Sequence, residues 1–546
     1  MNIKGLLLLL LCGTISANIP KEPNVVIVFV IDQFPFYYLT RHQHNFKHRG
    51  FNRFIKEGVF YTKAYHAHGV PETTPGHASL SSGVLPAQHG ATSNRWFKDN
   101  KTIEFGTDTD KKAAQINAPA TATGYSPHHL NVDTISDQMG IHQATKHVYK
   151  AYSVSIKPRS AIATAGQRIP AFWFNDFQGG FTSSRHYMRE LPDWVKNFNT
   201  QSGIRKLKKT SWPLCFDRNH DAYDYPLINN YDFAALPYRL AGNTDILIDR
   251  SSEDPYVNFL RTPAANQLLL DFATTCLKQS YKKAPNEKVL LWVCLSPLDL
   301  VGHMYGPDSL EVIDFVHHID KQLDTCMTNI EASLGEQNVA FVLTSDHGVQ
   351  SMQEISQLRG IKEARRIIAN DLMKKINDRI EQEFGVSGFL GKFESTYFVY
   401  DESAAEELES AGLLESAERM TKAMLKAEPG IKQAWTFDEL KQIPCEPFSQ
   451  EQFYKNHLIH GRLGNIIVQP KPYCLLTNYS TGCSHSTPYE YDTHVPLGFY
   501  QKGVAAKKIR KSVLAAQLAP TIAQMLNIPA PSASLIDPLP HMLVQE

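Results

Sequence analysis

The sequence has no excess charge of either sign: 55 Lys+Arg stand against 55 Asp+Glu in 546 residues. A nucleic-acid groove or a polybasic lipid-binding face needs clustered positive charge, and this balance argues against both. Beyond the first dozen residues no apolar run reaches the ~18 continuous residues of a bilayer-spanning helix. Cysteine is scarce, eight in all, and no two are spaced C-x-x-C. A thiolate zinc knuckle is therefore absent, and a metal is expected to be held by imidazole and carboxylate. There is also no internal repeat and no low-complexity tract, which excludes solenoids and long disordered tails. With 42% hydrophobic and 20% charged residues, the chain is expected to build a sizeable globular core.

The N-terminus does carry one apolar run. Lys4, the stretch Leu6–Leu11 and the small residues Ser16-Ala17 have the order of a secretory signal peptide over residues 1–17. The remainder, 18–546, is then expected to be exported, periplasmic or secreted, with no transmembrane anchor. Cys12 raises a lipid-anchored alternative, although Leu11 before it suits a lipobox poorly. Export permits disulfides. Cys474 and Cys483 flank a short polar loop and are expected to pair, whereas Cys294, inside VLLWVCLS, is expected to be a buried core thiol.

Four apolar, β-branched runs read as fully buried strands: NVVIVFVID (24–32), KVLLWVCLSPLD (288–299), NVAFVLTSDHG (338–348) and VPLGFY (495–500). Between them, Val312, Phe315, Val316, Ile319, Leu323, Met327 and Ile330 mark one face of a helix over 309–334. Buried strands alternating with helices predict an α/β protein with a mostly parallel sheet. Two stretches break the pattern, near 190–262 and 352–470, and are expected to be insertions, the second an α+β cap. The charged mixture at 361–382 is expected to be a solvated helix face. Trp173, Phe174, Tyr187 and Trp194 read as core before pocket wall.

In such sheets the ligand crevice lies beyond the carboxyl ends of the strands. The polar residues fall there. Asp32 ends the first run, Asp299 the second, and Asp346-His347 the third; Asp492-Thr-His494 precedes the fourth. Asp299 and His303 are four apart, so they face one way if a helical turn begins there. This mixture of carboxylate and imidazole suits zinc, in two sites that leave open positions. GVPETTPGHASLSSG (69–83) then offers Thr73 and Thr74 at the start of a helix, where an anion is well held; either could be a nucleophile or a cap.

The set Asp32, Thr73-Thr-Pro-Gly-His77, Asp299/His303, Asp346-His347 and His494 resembles the alkaline phosphatase superfamily. It is most similar to the branch shared by Thr-nucleophile alkaline phosphatases and type I phosphodiesterases/nucleotide pyrophosphatases. The resemblance spans Asp32 to the terminal LAPTIAQMLNIP and is weak in both insertions. It implies an alkaline-phosphatase-like three-layer sandwich with inserted cap subdomains and selects Thr73 as nucleophile. It also implies two Zn²⁺, one held by Asp299, His303 and His494, the other by Asp32, Asp346 and His347 with Thr73. His77 is expected to support the loop.

Lys157 and Arg159 resemble the Lys-x-Arg pair of the monoesterases, and Asn94 their phosphate-binding Asn. Read as an extended segment, Lys157 and Arg159 share a face; with Asn94 they would clamp the phosphate opposite the zincs. The implied reaction is hydrolysis of small-molecule phosphate monoesters through a covalent phosphothreonine, with phosphodiesterase or nucleotide pyrophosphatase activity as the alternative. No C/S-x-P-x-R cassette of a sulfatase is present. Nothing in the pattern specifies an oligomer.

Overall fold

The computed structural model describes residues 22–98, 101–145, 148–224, 240–242, 245–284 and 286–541. The proposed leader, 1–17, lies outside them. Among the described residues no helix is long and apolar enough to cross a membrane.

The centre is a ten-stranded sheet. In chain order its main strands are β1 (Val25–Ile31), β2 (Val59–Tyr65), β3 (Tyr149–Ser155), β4 (Ala171–Asn175), β5 (Gly180–Thr182), β6 (Lys288–Leu295), β7 (Val339–Thr344), β8 (His494–Gln501) and β9 (Lys507–Ile509). They lie side by side as β9-β2-β8-β7-β1-β6-β3-β4-β5, and Val513–Leu514 pairs with β2. β1 pairs in parallel with β6 and β7, and β3 in parallel with β6 and β4. β8 is reversed, antiparallel to both β7 and β2. The fourth predicted strand is thus present but runs against its neighbours, so its N-terminal end meets their C-terminal ends.

β1 explains the continuous apolar pattern. Ile27 and Phe29 face one core, Val26 and Val28 the other, and all seven residues of the strand are buried. A strand covered on both faces gains ~1.5–3 kcal/mol from each large side chain withdrawn from water. Ser309 caps the predicted helix, accepting from the backbone N–H of Val312 at 3.2 Å. The helix runs Leu310–Leu334 and buries the seven predicted apolar residues against the sheet. Arg53 and Glu331 form a buried two-pronged ion pair there, 2.6 and 2.8 Å.

Residues from Ala369 to Pro470 contain a separate four-stranded antiparallel sheet, ordered Leu390–Glu394, Tyr397–Tyr400, Ile466–Pro470, Ile431–Thr436. It has its own core, including Leu372, Ile376, Phe398 and Leu425. The solvated helix expected over 361–382 starts only at Ala369, because Arg365–Ile368 is a strand paired with Cys474–Thr477; the helix Ala369–Phe384 does carry exposed pairs Lys374–Asp378 and Arg379–Glu383. Trp173 and Phe174 lie on β4 within the core, and Trp194 packs on Phe172 and Phe272.

The expected Cys474–Cys483 disulfide is not formed. Cys474 begins a strand beside Arg365–Ile368, and its Sγ donates to the carbonyl of Glu363; the Sγ of Cys483 donates to that of Gly302. Both are free thiols. Cys294 is a buried thiol, as expected.

Candidate active site

Four strand ends and two helices converge at the C-terminal edge of β1, β6 and β7. Asp32 follows β1 directly. Asp299 and His303 lie in α3 (Pro297–Tyr305), which starts just after β6, and the helical turn brings His303 Nε2 to 3.2 Å from Asp299 Oδ1. Asp346 and His347 follow β7. Thr73 opens α1 (Thr73–Ser82), every residue of which is buried. Its Gly76 has a steric reason: a Cβ there would lie 2.2 Å from the backbone oxygen of Asp346. Only glycine lets this helix press against the end of β7.

The ligand atoms fall into two groups. In the first, His347 Nε2 lies 3.5 Å from both Asp32 Oδ1 and Asp346 Oδ2. All three atoms are buried; Asp32 Oδ1 and His347 Nε2 have no hydrogen-bond partner within the protein, and Asp346 Oδ2 meets only His77 Nδ1 at 3.2 Å besides His347. Three converging lone-pair atoms, two of them left unsatisfied, fit a metal cation, since burial without a partner costs ~1–3 kcal/mol per polar group. In the second, Asp299 Oδ1 faces His303 Nε2 and, at 3.9 Å, His485 Nε2.

The histidine identity differs from the sequence expectation. His494, at the start of β8, stacks against Phe36 and Tyr65 at 4.3 and 4.6 Å and spends its Nε2 on the carbonyl of Thr62. Its strand position is at the right edge, but its side chain is committed elsewhere. His485, which the sequence reasoning missed, supplies the third imidazole. The signal was a histidine among small residues, GCSHS, just ahead of the same strand. His303, His347 and His485 share one device: each Nδ1 meets a backbone carbonyl, of Cys483, Gly348 and Pro71 at 3.0, 2.9 and 2.7 Å. That contact fixes Nε2 as the ligand nitrogen. Asp492 does not join either group; Thr487 donates to it from backbone and hydroxyl.

The electrostatics follow from three buried carboxylates in one place. Burial, and then the charge of Asp346, push Asp32 up to about 7, with Lys157 opposing. Asp346 is held below the usual carboxylate range because His347 and His77 outweigh its burial. His77 Nδ1 contacts both Thr73 O (2.8 Å) and Asp346 Oδ2 (3.2 Å), the supporting position expected of it. His485 is held well below its ordinary value, by burial and then by His347 and His303, and stays neutral.

Lys157 and Arg159 do not share an extended segment. Lys157 is the last extended residue (φ −84°, ψ 129°) before α2 (Pro158–Ala165), and Arg159 lies in that helix's first turn. The lysine points between the two groups: Nζ is 2.7 Å from Asp32 Oδ2 and 2.5 Å from Asp299 Oδ2. It therefore lies among the carboxylates, not opposite them. The Nε of Arg159 is buried and unpartnered. Asn94 Oδ1 accepts from the backbone N–H and the hydroxyl of Thr74, at 2.9 and 2.8 Å. Thr74 is thus engaged, while among the described residues the Thr73 hydroxyl has no hydrogen-bond partner. The sequence also missed Gln33. It adopts φ 62° to donate its backbone N–H to Asp346 and its side-chain amide to Asp299, so one strained residue touches both groups.

The family model for type I phosphodiesterase / nucleotide pyrophosphatase matches residues 26–494. The chain belongs to this family. Within the wider alkaline phosphatase superfamily, this phosphodiesterase-family chain is 27% identical to alkaline phosphatase PafA of Elizabethkingia meningoseptica, over 97% of this chain and 96% of that protein. It is 28% identical to alkaline phosphatase PhoV of Synechococcus elongatus, over 94% and 92%. The crystal structure of wild-type PafA superposes with a TM-score of 0.84 at 24% identity, covering 95% of this chain and 98% of that one, which establishes the α/β fold. Beside the two carboxylate–imidazole groups this family member has a cavity of about 710 Å³. Asn94, His303 and His485 line it, together with Arg366, Phe393 and Tyr479. Core aromatics on β4 do not contribute to it.

Proposed function

We propose that this enzyme hydrolyses phosphate monoesters with Thr73 as nucleophile. Two zinc ions would be held by Asp32, Asp346 and His347 beside Thr73, and by Asp299, His303 and His485. The observation that carries the reading is the convergence of unsatisfied ligand atoms beside a helix start whose first hydroxyl is uncommitted. Zinc bound there supplies Lewis-acid stabilisation of the attacking and departing oxygens.

The chain's own residues do the rest. His77 fixes the carbonyl of Thr73 and the carboxylate of Asp346. The Thr73 oxygen attacks phosphorus in line, the ester oxygen leaves toward the cavity, and a phosphothreonine forms; water then hydrolyses it and releases phosphate. Positive charge supports the monoester choice. A monoester presents a dianion, which gains more than a diester from the unpaired Arg159 guanidinium and the side-chain amide of Asn94. The N-terminal pattern supports export, with loosely selected organic phosphates as substrates.

Kinetics on a mono- and a diester of one aryl leaving group test this. Expected is a much higher kcat/KM for the monoester, and its selective loss in Arg159→Ala. A diester preference would assign the phosphodiesterase activity that the family name carries. Thr73→Ala with near wild-type turnover would remove Thr73 as nucleophile.

A further inference from the structure

A second carboxylate–imidazole cluster lies outside the catalytic set and shares no residue with it. The spacing that supplies Asp299 and His303 recurs on α4 (Leu310–Leu334) as Asp314-Phe-Val-His-His318. The geometry recurs too: Asp314 Oδ2 and His318 Nε2 are 3.2 Å apart, the same separation as in the catalytic pair. Where His485 approaches the first pair, Cys215 approaches the second. Its Sγ, an Asp314 carboxylate oxygen and a His318 ring nitrogen all lie within 4.8 Å of one another.

The carboxylate is aimed by its surroundings. Asp314 is fully buried and accepts from Trp212 Nε1 and the backbone N–H of Cys215, each at 2.7 Å, and from the hydroxyl of Tyr223. Such outer donors orient metal-binding carboxylates and raise the cost of displacing them. Cys215 and His318 remain partly open to solvent, so an ion has an entry path. His318 Nε2 also donates to the carbonyl of Pro213 at 3.0 Å, as His494 does to Thr62, but it faces a carboxylate and a thiol where His494 faces two aromatic rings, so coordination would exchange this hydrogen bond for a metal bond.

We propose that Cys215, Asp314 and His318 form a metal site distinct from the catalytic one, which clips the inserted segment around Trp212–Tyr223 onto α4. One thiolate, one imidazole and one carboxylate select a borderline-soft, tetrahedral ion such as Zn²⁺ over Mg²⁺ or Ca²⁺, with water as fourth ligand. Coordination would release two protons to solvent, one from the Cys215 thiol and one from the His318 ring, whose Nε2–H now faces Asp314 and the Pro213 carbonyl. The cross-link joins residues roughly a hundred positions apart in sequence and so constrains a long loop.

The test uses the full-length protein, loaded with Zn²⁺ and dialysed. Cys215→Ser should carry one zinc fewer per chain than wild type, keep aryl phosphatase activity within about twofold, and unfold at lower temperature only when zinc is present. Equal zinc content in wild type and Cys215→Ser overturns the site. Cobalt replacement gives an independent readout should the variant fold poorly. Wild-type protein loaded with Co²⁺ should show a near-ultraviolet thiolate-to-cobalt absorption, and His318→Ala should lack it. A wild-type spectrum without that band overturns the site whatever the variants do.

Discussion

Replacing Lys157 by methionine should destabilise the metal-free protein strongly and the zinc-loaded protein hardly at all. The ammonium lies 2.7 and 2.5 Å from two carboxylates that are themselves buried. At such distances and an effective dielectric near 20, each pair has a gross attraction of ~6 kcal/mol. Much of that is cancelled by taking the ammonium out of water. What remains when one partner of such a cluster is deleted is about 3–5 kcal/mol, chiefly the cost of leaving Asp32 buried beside Asp346 without its ammonium, since Asp299 keeps His303 and Gln33. Methionine fills a similar volume, so little of the loss is packing. A bound dication is a larger local charge than the lysine it adjoins, and with it in place the difference should fall below about 1 kcal/mol. The assay is urea unfolding of wild type and variant, with chelator and with saturating zinc. Equal destabilisation in both states would refute the reasoning, because Lys157 would then be a structural ion pair independent of the metal groups. A loss of monoester kcat/KM in the loaded variant, despite restored stability, would assign the lysine to the phosphate as well.

His485→Ala should lower bound zinc and reduce aryl phosphate turnover by no less than the ~10–100-fold that loss of a group merely orienting a ligand costs; His494→Ala should keep both, losing ring packing worth ~0.5–1.5 kcal/mol and the hydrogen bond to Thr62. Metal analysis beside kinetics separates the two histidines. Gly76→Ala forces α1 away from the backbone of Asp346, and overpacking of this kind costs ~1–3 kcal/mol; reduced melting temperature together with lost activity is expected. Arg53→Ala strands Glu331 in the core, a loss of about 3–5 kcal/mol by calorimetry with activity of the remaining folded protein intact.

The fold was legible where physics leaves a one-dimensional trace. β1, β6 and β7 are covered on both faces, so their apolar runs are unbroken and their ends are marked by the first polar residues, Asp32, Ser296 and Thr344. Asp299 and His303 were legible because four residues make one helical turn. Direction and pairing leave no such trace. β8 is as apolar as its parallel neighbours and reads like them, yet it runs the other way. Lys157 and Arg159 look like alternate positions on a strand, but Pro158 starts a helix between them, which puts the lysine among the carboxylates. Cys474 and Cys483 flank a polar loop, but each thiol is already hydrogen-bonded to a different carbonyl.

The histidines show where sequence reasoning must stop and geometry must take over. Of 22 in the chain, position alone favours His494, adjacent to a strand and preceded by an aspartate. What separates a ligand from a packed ring is which nitrogen the fold has already used. His303, His347 and His485 each commit Nδ1 to a backbone carbonyl and turn Nε2 inward, whereas His494 commits Nε2 to Thr62 and fills a slot between two aromatic rings. The carbonyls responsible come from Cys483, Gly348 and Pro71, two of them distant in sequence from the rings they orient. A ligand set of this kind is specified by long-range backbone contacts. Those contacts also explain Gln33: its left-handed backbone, of a kind costing ~1–3 kcal/mol, is held because one residue there bonds the carboxylates of both groups. Gly302 leaves the room, since a Cβ at that position would lie 1.7 Å from the Gln33 amide oxygen. The glycine inside Asp299-Leu-Val-Gly-His303 is thus part of the spacing that brings the two groups together.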